Sequence, residues 1–180
     1  MPLSRAALGI AVALAALLLI GVVVLAQVLG SGTDAHPAPS STPAAPRTGP
    51  VPLVPVDAPD AGSAACGSLL SALPDALTSG ATTLHRLPLA APAPPATAAW
   101  GDGGDPVVLR CGLNRPPELT PTAQLRLISG VNWLPIEGDR STTWYLVQRS
   151  VYVALTVPVG TGTGVLQGVS EVAGRVVGVR

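Results

Sequence analysis

The sequence predicts an α+β fold: a small antiparallel sheet with helices on one face and one disulfide, preceded by an N-terminal transmembrane helix and a proline-rich linker. Three observations carry this reading. An uncharged run extends from Ala6 to Leu29. Prolines 37, 39, 43, 46, 50, 52, 55 and 59 then crowd a segment of Ala, Ser and Thr. After residue 62, short β-branched runs broken by Gly and Pro lie between two segments whose apolar residues recur at helical spacing.

Composition narrows the function classes. The formal net charge is zero, whereas a binder of the phosphate backbone needs a basic surplus on one face, so nucleic acid is not an expected partner. All basic residues are arginine, and lysine and phenylalanine are absent. That bias matches a GC-rich genome. Charged residues make up 11% of the chain, below the roughly 25% of ordinary soluble domains, because the first 60 or so residues are apolar or proline-rich.

Residues 1–5 read as a short leader that would stay in the cytoplasm, with Arg5 its only charged side chain. As a helix, residues 6–29 would measure ~36 Å, enough to cross a ~30 Å hydrocarbon core. The positive charge precedes the run, so the remainder of the chain should face outward and the protein should sit in the plasma membrane as a single-pass signal anchor. Cleavage near Ala26, after Val24-Leu25, is the competing reading and would release a secreted protein. A signal peptide's apolar region is usually only ~7–15 residues, which favours the retained anchor. Residues 30–61 read as a disordered Pro/Ala-rich linker, since proline fixes φ and removes backbone donors.

The extracytoplasmic domain should span 62–180. Ser63 is a candidate N-cap for a helix carrying Cys66, Leu69, Leu70 and Leu73 on one face, with Pro74 late in the pattern and Ser79-Gly80 as its stop. Thr83 to Leu89 is a short strand, and Ala90 to Thr97 is a proline-rich connection. Ala98-Ala99-Trp100 leads into the turn Asp102-Gly-Gly-Asp105-Pro. Strands are expected at Val107–Cys111, Gln124–Ile128, Val131–Ile136, Thr142–Val147 and Val151–Val157, with a loop at 114–121 and a turn at 137–140. Val165, Val169, Val172 and Val176 give a C-terminal helix over 165–177, although Gly168 and Gly174 weaken it.

The chemistry-bearing residues are few. Cys66 and Cys111 should pair, because an exported domain with two cysteines normally oxidises them. His85 is the only histidine of the domain, His36 falling in the linker. With Asp102, Asp105 or a serine it would be the base of a hydrolase or transferase acting on cell-wall precursors. No Gly-x-Ser-x-Gly elbow exposes a nucleophile, so no catalytic residue is assigned and an isolated histidine is the simpler reading. Asp102 and Asp105 lack the alternating ligands of a calcium loop, and no cofactor or metal is implied. The loop Gly160-Thr-Gly-Thr-Gly164 lies between strand and helix but lacks the lysine of a phosphate loop, so it reads as a flexible connection. Trp100, Trp133 and Trp144, with Arg115 and Arg140, form the candidate binding surface; core packing is the alternative for the aromatics.

Trp100-Gly101, Pro106-Val-Val-Leu-Arg-Cys-Gly112, Pro116, Val131-Asn-Trp133 and Val151-Tyr-Val153 with Pro158 carry a family resemblance. The chain resembles actinobacterial membrane-anchored proteins that hold one domain of unknown function outside the cytoplasm. The resemblance covers residues 63–178 and implies an extracytoplasmic location but no catalytic residues. The combined expectation is a non-enzymatic envelope module that meets an envelope protein or cell-wall component.

Overall fold

A computed structural model of the protein describes residues 49–178. The expected leader, the Ala6–Leu29 helix, His36 and the first part of the linker lie outside the described residues. Among the described residues no helix is long and apolar enough to cross a membrane.

Helix α1 spans Ala64–Ala72 and opens on Ser63, whose Oγ accepts a hydrogen bond from Cys66 N at 3.3 Å. That is the capping role expected of serine before an apolar-periodic run. The helix ends earlier than the sequence pattern indicates. Pro74 cannot donate a helical hydrogen bond and disfavours helical geometry at Leu73, which is extended at φ −64° and ψ 138°. Ala76–Ser79 is therefore strand β1 rather than the end of the helix.

The remaining strands are β2 (Thr82–Arg86), β3 (Thr97–Gly101), β4 (Val107–Leu113), β5 (Arg126–Ile128), β6 (Val131–Glu137), β7 (Ser141–Leu146) and β8 (Tyr152–Pro158). Helix α2 spans Gly164–Val176. The strands form one sheet in the order β1-β2-β3-β4-β8-β7-β6-β5, and every strand pair is antiparallel. The chain thus builds β1 to β4, crosses to the far edge, and returns so that β8 closes beside β4. Pro135 lies in β6 where the pairing with β5 has already ended at Trp133, so its missing N–H removes no bond on that side.

Alternation divides the sheet into two faces. Leu77, Leu84, Ala98, Trp100, Leu109, Cys111, Val153, Leu155, Leu146 and Trp133 meet the apolar stripes of α1 and α2 in the main core. The disulfide Cys66–Cys111 ties α1 to β4 across this layer. Both helices join that one core, as the sequence predicts. The opposite face carries a smaller cluster of Leu113, Leu134, Val147, Tyr152 and Ala154, covered by Ala58, Leu119, Ala123 and Leu125 from irregular segments.

Residues 49–61, expected to be disordered linker, lie against the folded domain, with Ala58 packed on this second cluster. Val51 is buried at 3% exposure and forms a parallel bridge with Leu89, its N–H reaching Pro88 O at 2.8 Å. Asp60 N donates to Gly112 O at 3.0 Å. The folded unit therefore begins before residue 62. Proline content alone reads as extended coil, but an extended strap with apolar residues at intervals can lie on a sheet face.

The glycine loop before α2 is also packed rather than free. Gly162 N donates to Ser79 Oγ at 2.8 Å, and a Cβ at Gly162 would stand 2.5 Å from Gly80 N. Gly162 and Gly164 let the loop approach β1 and the β1–β2 turn, which accounts for these two without a phosphate.

Candidate functional site

The register of the sheet places a polar group on its second face. Arg110 on β4 is opposite Ala154 on β8, and Ala154 is opposite Tyr145 on β7. One step along, Val108, Thr156 and Thr143 form the parallel row. Two long side chains thus flank a methyl group, with strands spaced ~4.8 Å apart. The small residue between them leaves a hollow of about 340 Å³, lined by Arg110, Tyr145, Thr143, Thr156 and Ala154 from the sheet. Val56 and Asp57 of the strap and Asn114, Arg115 and Pro116 of the following loop complete its walls.

Hydrogen bonds fix these walls. Arg110 Nη2 donates to Val54 O at 3.2 Å. Asn114 Nδ2 donates to Asp57 Oδ2 at 2.6 Å, joining the strap to the loop after β4. Arg115 Nη2 donates to Leu119 O. Thr143 and Thr156 share a hydroxyl contact of 3.2 Å. Arg110 Nε is buried without a hydrogen-bond partner; an unmet buried donor costs about 1–3 kcal/mol. Burial pulls the Arg110 guanidinium below its ordinary value, with Tyr145 acting in the opposite sense. Burial likewise pushes the Tyr145 phenol up, Glu118 adds to the rise, and Arg110 opposes it. Arginine stays cationic throughout the physiological range.

Thr156 also lines a second hollow of about 350 Å³ with Asp105, Val108, Arg140 and Ser141. Asp105 and Arg140 then pass into a third, of about 630 Å³, which takes in Asp102, Asp139 and Thr161. The three hollows share lining residues and so adjoin, marking a path from Arg110 to the Asp102 turn. Arg110, Arg115 and Arg140 line it together with the carboxylates of Asp57, Asp102, Asp105 and Asp139.

The expected site residues divide accordingly. Arg115 and Arg140 line the path. Trp100 and Trp133 do not: both are 0% exposed. Trp100 Nε1 donates to Pro74 O at 2.9 Å beneath the Arg86 guanidinium, and Trp133 Nε1 donates to buried Ser170 Oγ at 2.8 Å. An indole whose N–H is satisfied inside the core packs there and meets no ligand. Trp144 is partly buried on the helix face and borders a separate hollow of about 420 Å³ with Leu127, Ile128 and Leu166. His85 is exposed on β2 and lies outside all of these hollows, because Leu84 is the β2 residue turned to the core. Among the described residues no group of three or more His, Cys, Asp or Glu side chains could hold a metal ion.

The sequence reading passed over Arg110. Its signal was a lone arginine in the apolar strand Val107-Val-Leu-Arg-Cys111, on the alternate set from Leu109 and Cys111.

No curated protein and no solved structure matches the chain. A family model described as "Protein of unknown function (DUF3515)" matches residues 12–178. With nearly its whole length under that match, the chain belongs to the DUF3515 family of proteins of unknown function.

Proposed function

We propose that the protein is a single-pass envelope protein, held in the plasma membrane by the Ala6–Leu29 run, whose domain works outside the cytoplasm as a non-catalytic binding module. The anchor rests on the length and neutrality of that run and on Arg5 before it. The Cys66–Cys111 disulfide supports the outward placement, since such bonds persist in oxidising compartments. The observation that carries the binding role is the set of hollows lined by Arg110 on the sheet and by Arg115 and Arg140 on the adjoining loop and turn. The partner is an envelope protein or a cell-wall component.

Protease added to intact cells tests the topology. The domain should be removed from outside while a short membrane-embedded remnant persists. Full protection in intact cells, with digestion only after lysis, rejects the outward placement. For the binding role, the Arg115→Ala, Arg140→Ala double variant should retain the wild-type melting temperature and lose at least about half of its association with lipid-free wall preparations. Unchanged association removes these arginines from the role.

A further inference from the structure

We infer that the hollow over Ala154 is a binding site for a small carboxylate with an apolar stem, held by Arg110. This deepens the binding-module reading by naming the ligand chemistry, and it rests on that reading for its biological setting. Three features converge on it. The register puts Arg110 and Tyr145 on either side of Ala154, so the hollow follows from a small residue between two long polar ones. Among the described residues the Arg110 guanidinium donates to a backbone carbonyl, Val54 O, and its buried Nε has no hydrogen-bond partner. The walls supply hydroxyls from Thr143, Thr156 and Tyr145 beside apolar surface from Val56, Leu113, Ala154 and Pro116.

The charge balance selects a monoanion. Arg110, Arg115 and Asp57 all line the hollow, and the bonds from Asn114 to Asp57 and from Arg115 to Leu119 O fix positions without cancelling charge. Two guanidiniums against one carboxylate leave a single net positive charge, with Arg110 on the sheet floor. One guanidinium fork matches one carboxylate in shape and charge, whereas a dianionic phosphate calls for more positive charge than the hollow offers. The volume of about 340 Å³ is at the lower end of ligand pockets and suits a fragment of peptide size. Thr143 and Thr156, already in mutual contact, can turn a hydroxyl toward the second carboxylate oxygen.

The test uses the full chain in detergent micelles and three probes: N-acetyl-alanyl-alanine with a free carboxylate, its C-terminal amide, and inorganic phosphate. Calorimetric titration should show saturable binding of the acid and at least about tenfold weaker binding of the amide and of phosphate. Arg110→Met should abolish acid binding. Arg110→Lys, which keeps the charge and loses the fork, should weaken it about tenfold. Ala154→Val narrows the hollow while keeping the guanidinium in the protein and should also abolish binding. Asp57→Asn removes the wall's negative charge and should tighten binding about threefold. Equal binding of acid and amide, acid binding that survives both Arg110→Met and Ala154→Val, or no binding of any probe overturns the site. Phosphate bound more tightly than the acid overturns the carboxylate assignment. Wall association that persists in Arg110→Met, with acid binding gone, leaves this site standing and moves the wall partner elsewhere. The reverse pattern retains the binding module and rejects the carboxylate site.

Discussion

Gly112 shows how one residue can set a whole interface. It sits at φ +85°, where β4 shifts register against β8 between Cys111 and Leu113. A Cβ there would stand 2.2 Å from Ala61 N and 2.3 Å from Asp60 C, both backbone atoms that cannot yield cheaply. The bulge gives Arg110 and Leu113 to the strap face and Cys111 to the helix face. Gly112→Ala therefore combines backbone strain with overpacking, and denaturant unfolding should show a loss of about 2–4 kcal/mol. A change below about 0.5 kcal/mol would falsify the close approach of the strap. An isolated glycine inside a strand pattern is the local mark of a bulge or a close approach, but which backbone comes near it is decided only by the tertiary structure.

At the scale of elements, the disulfide and α2 hold the layers together by different means. Cys66 and Cys111 are separated by 45 positions, and the bond restrains the unfolded chain across β1 to β3. Replacing both cysteines by serine should cost about 4 kcal/mol on the chain-entropy account, read as a lower denaturation midpoint with an otherwise similar circular dichroism spectrum. An unchanged midpoint would remove the bond from the stability of the domain. Helix α2 depends on packing. Val165, Val169 and Val172 enter the main core, and Gly168 faces Leu77, where a Cβ would come within 3.2 Å of Leu77 Cδ2. The glycine that weakens the helix by propensity is thus the one that lets it lie close to β1.

At the scale of the whole molecule, the strap decides where the domain begins. A chain starting at residue 62 loses buried Val51, the bridge to Leu89, the Asp60–Gly112 hydrogen bond and two walls of the Arg110 hollow. Compared with a chain starting at residue 44, it should be less stable by about 3 kcal/mol or more, measured by denaturant unfolding of both. Equal stability would show that the strap rests on the sheet without contributing to it.

The sequence by itself determined the local elements. β-branched and alternating runs placed β2 and β4 to β8, while β3 read only as a lead-in to the Asp102 turn; valine spacing placed α2, Ser63 placed the start of α1, and the two cysteines placed the bond between them. These are properties of neighbouring residues, and Gly and Pro punctuate them clearly. Only the tertiary structure decided which faces meet. It closed β8 beside β4 and packed both helices on one face, where Trp100 and Trp133 are buried with their indole N–H groups satisfied on Pro74 O and Ser170 Oγ. The same closure lined up Arg110 of β4 with Ala154 and Tyr145 of the later, consecutive strands β8 and β7. Alternation tells which residues share a side of one strand, but strand order and register are fixed by the total burial of all faces at once. A site assembled across strands is therefore written into the sum of the chain's contacts rather than into any one stretch of it.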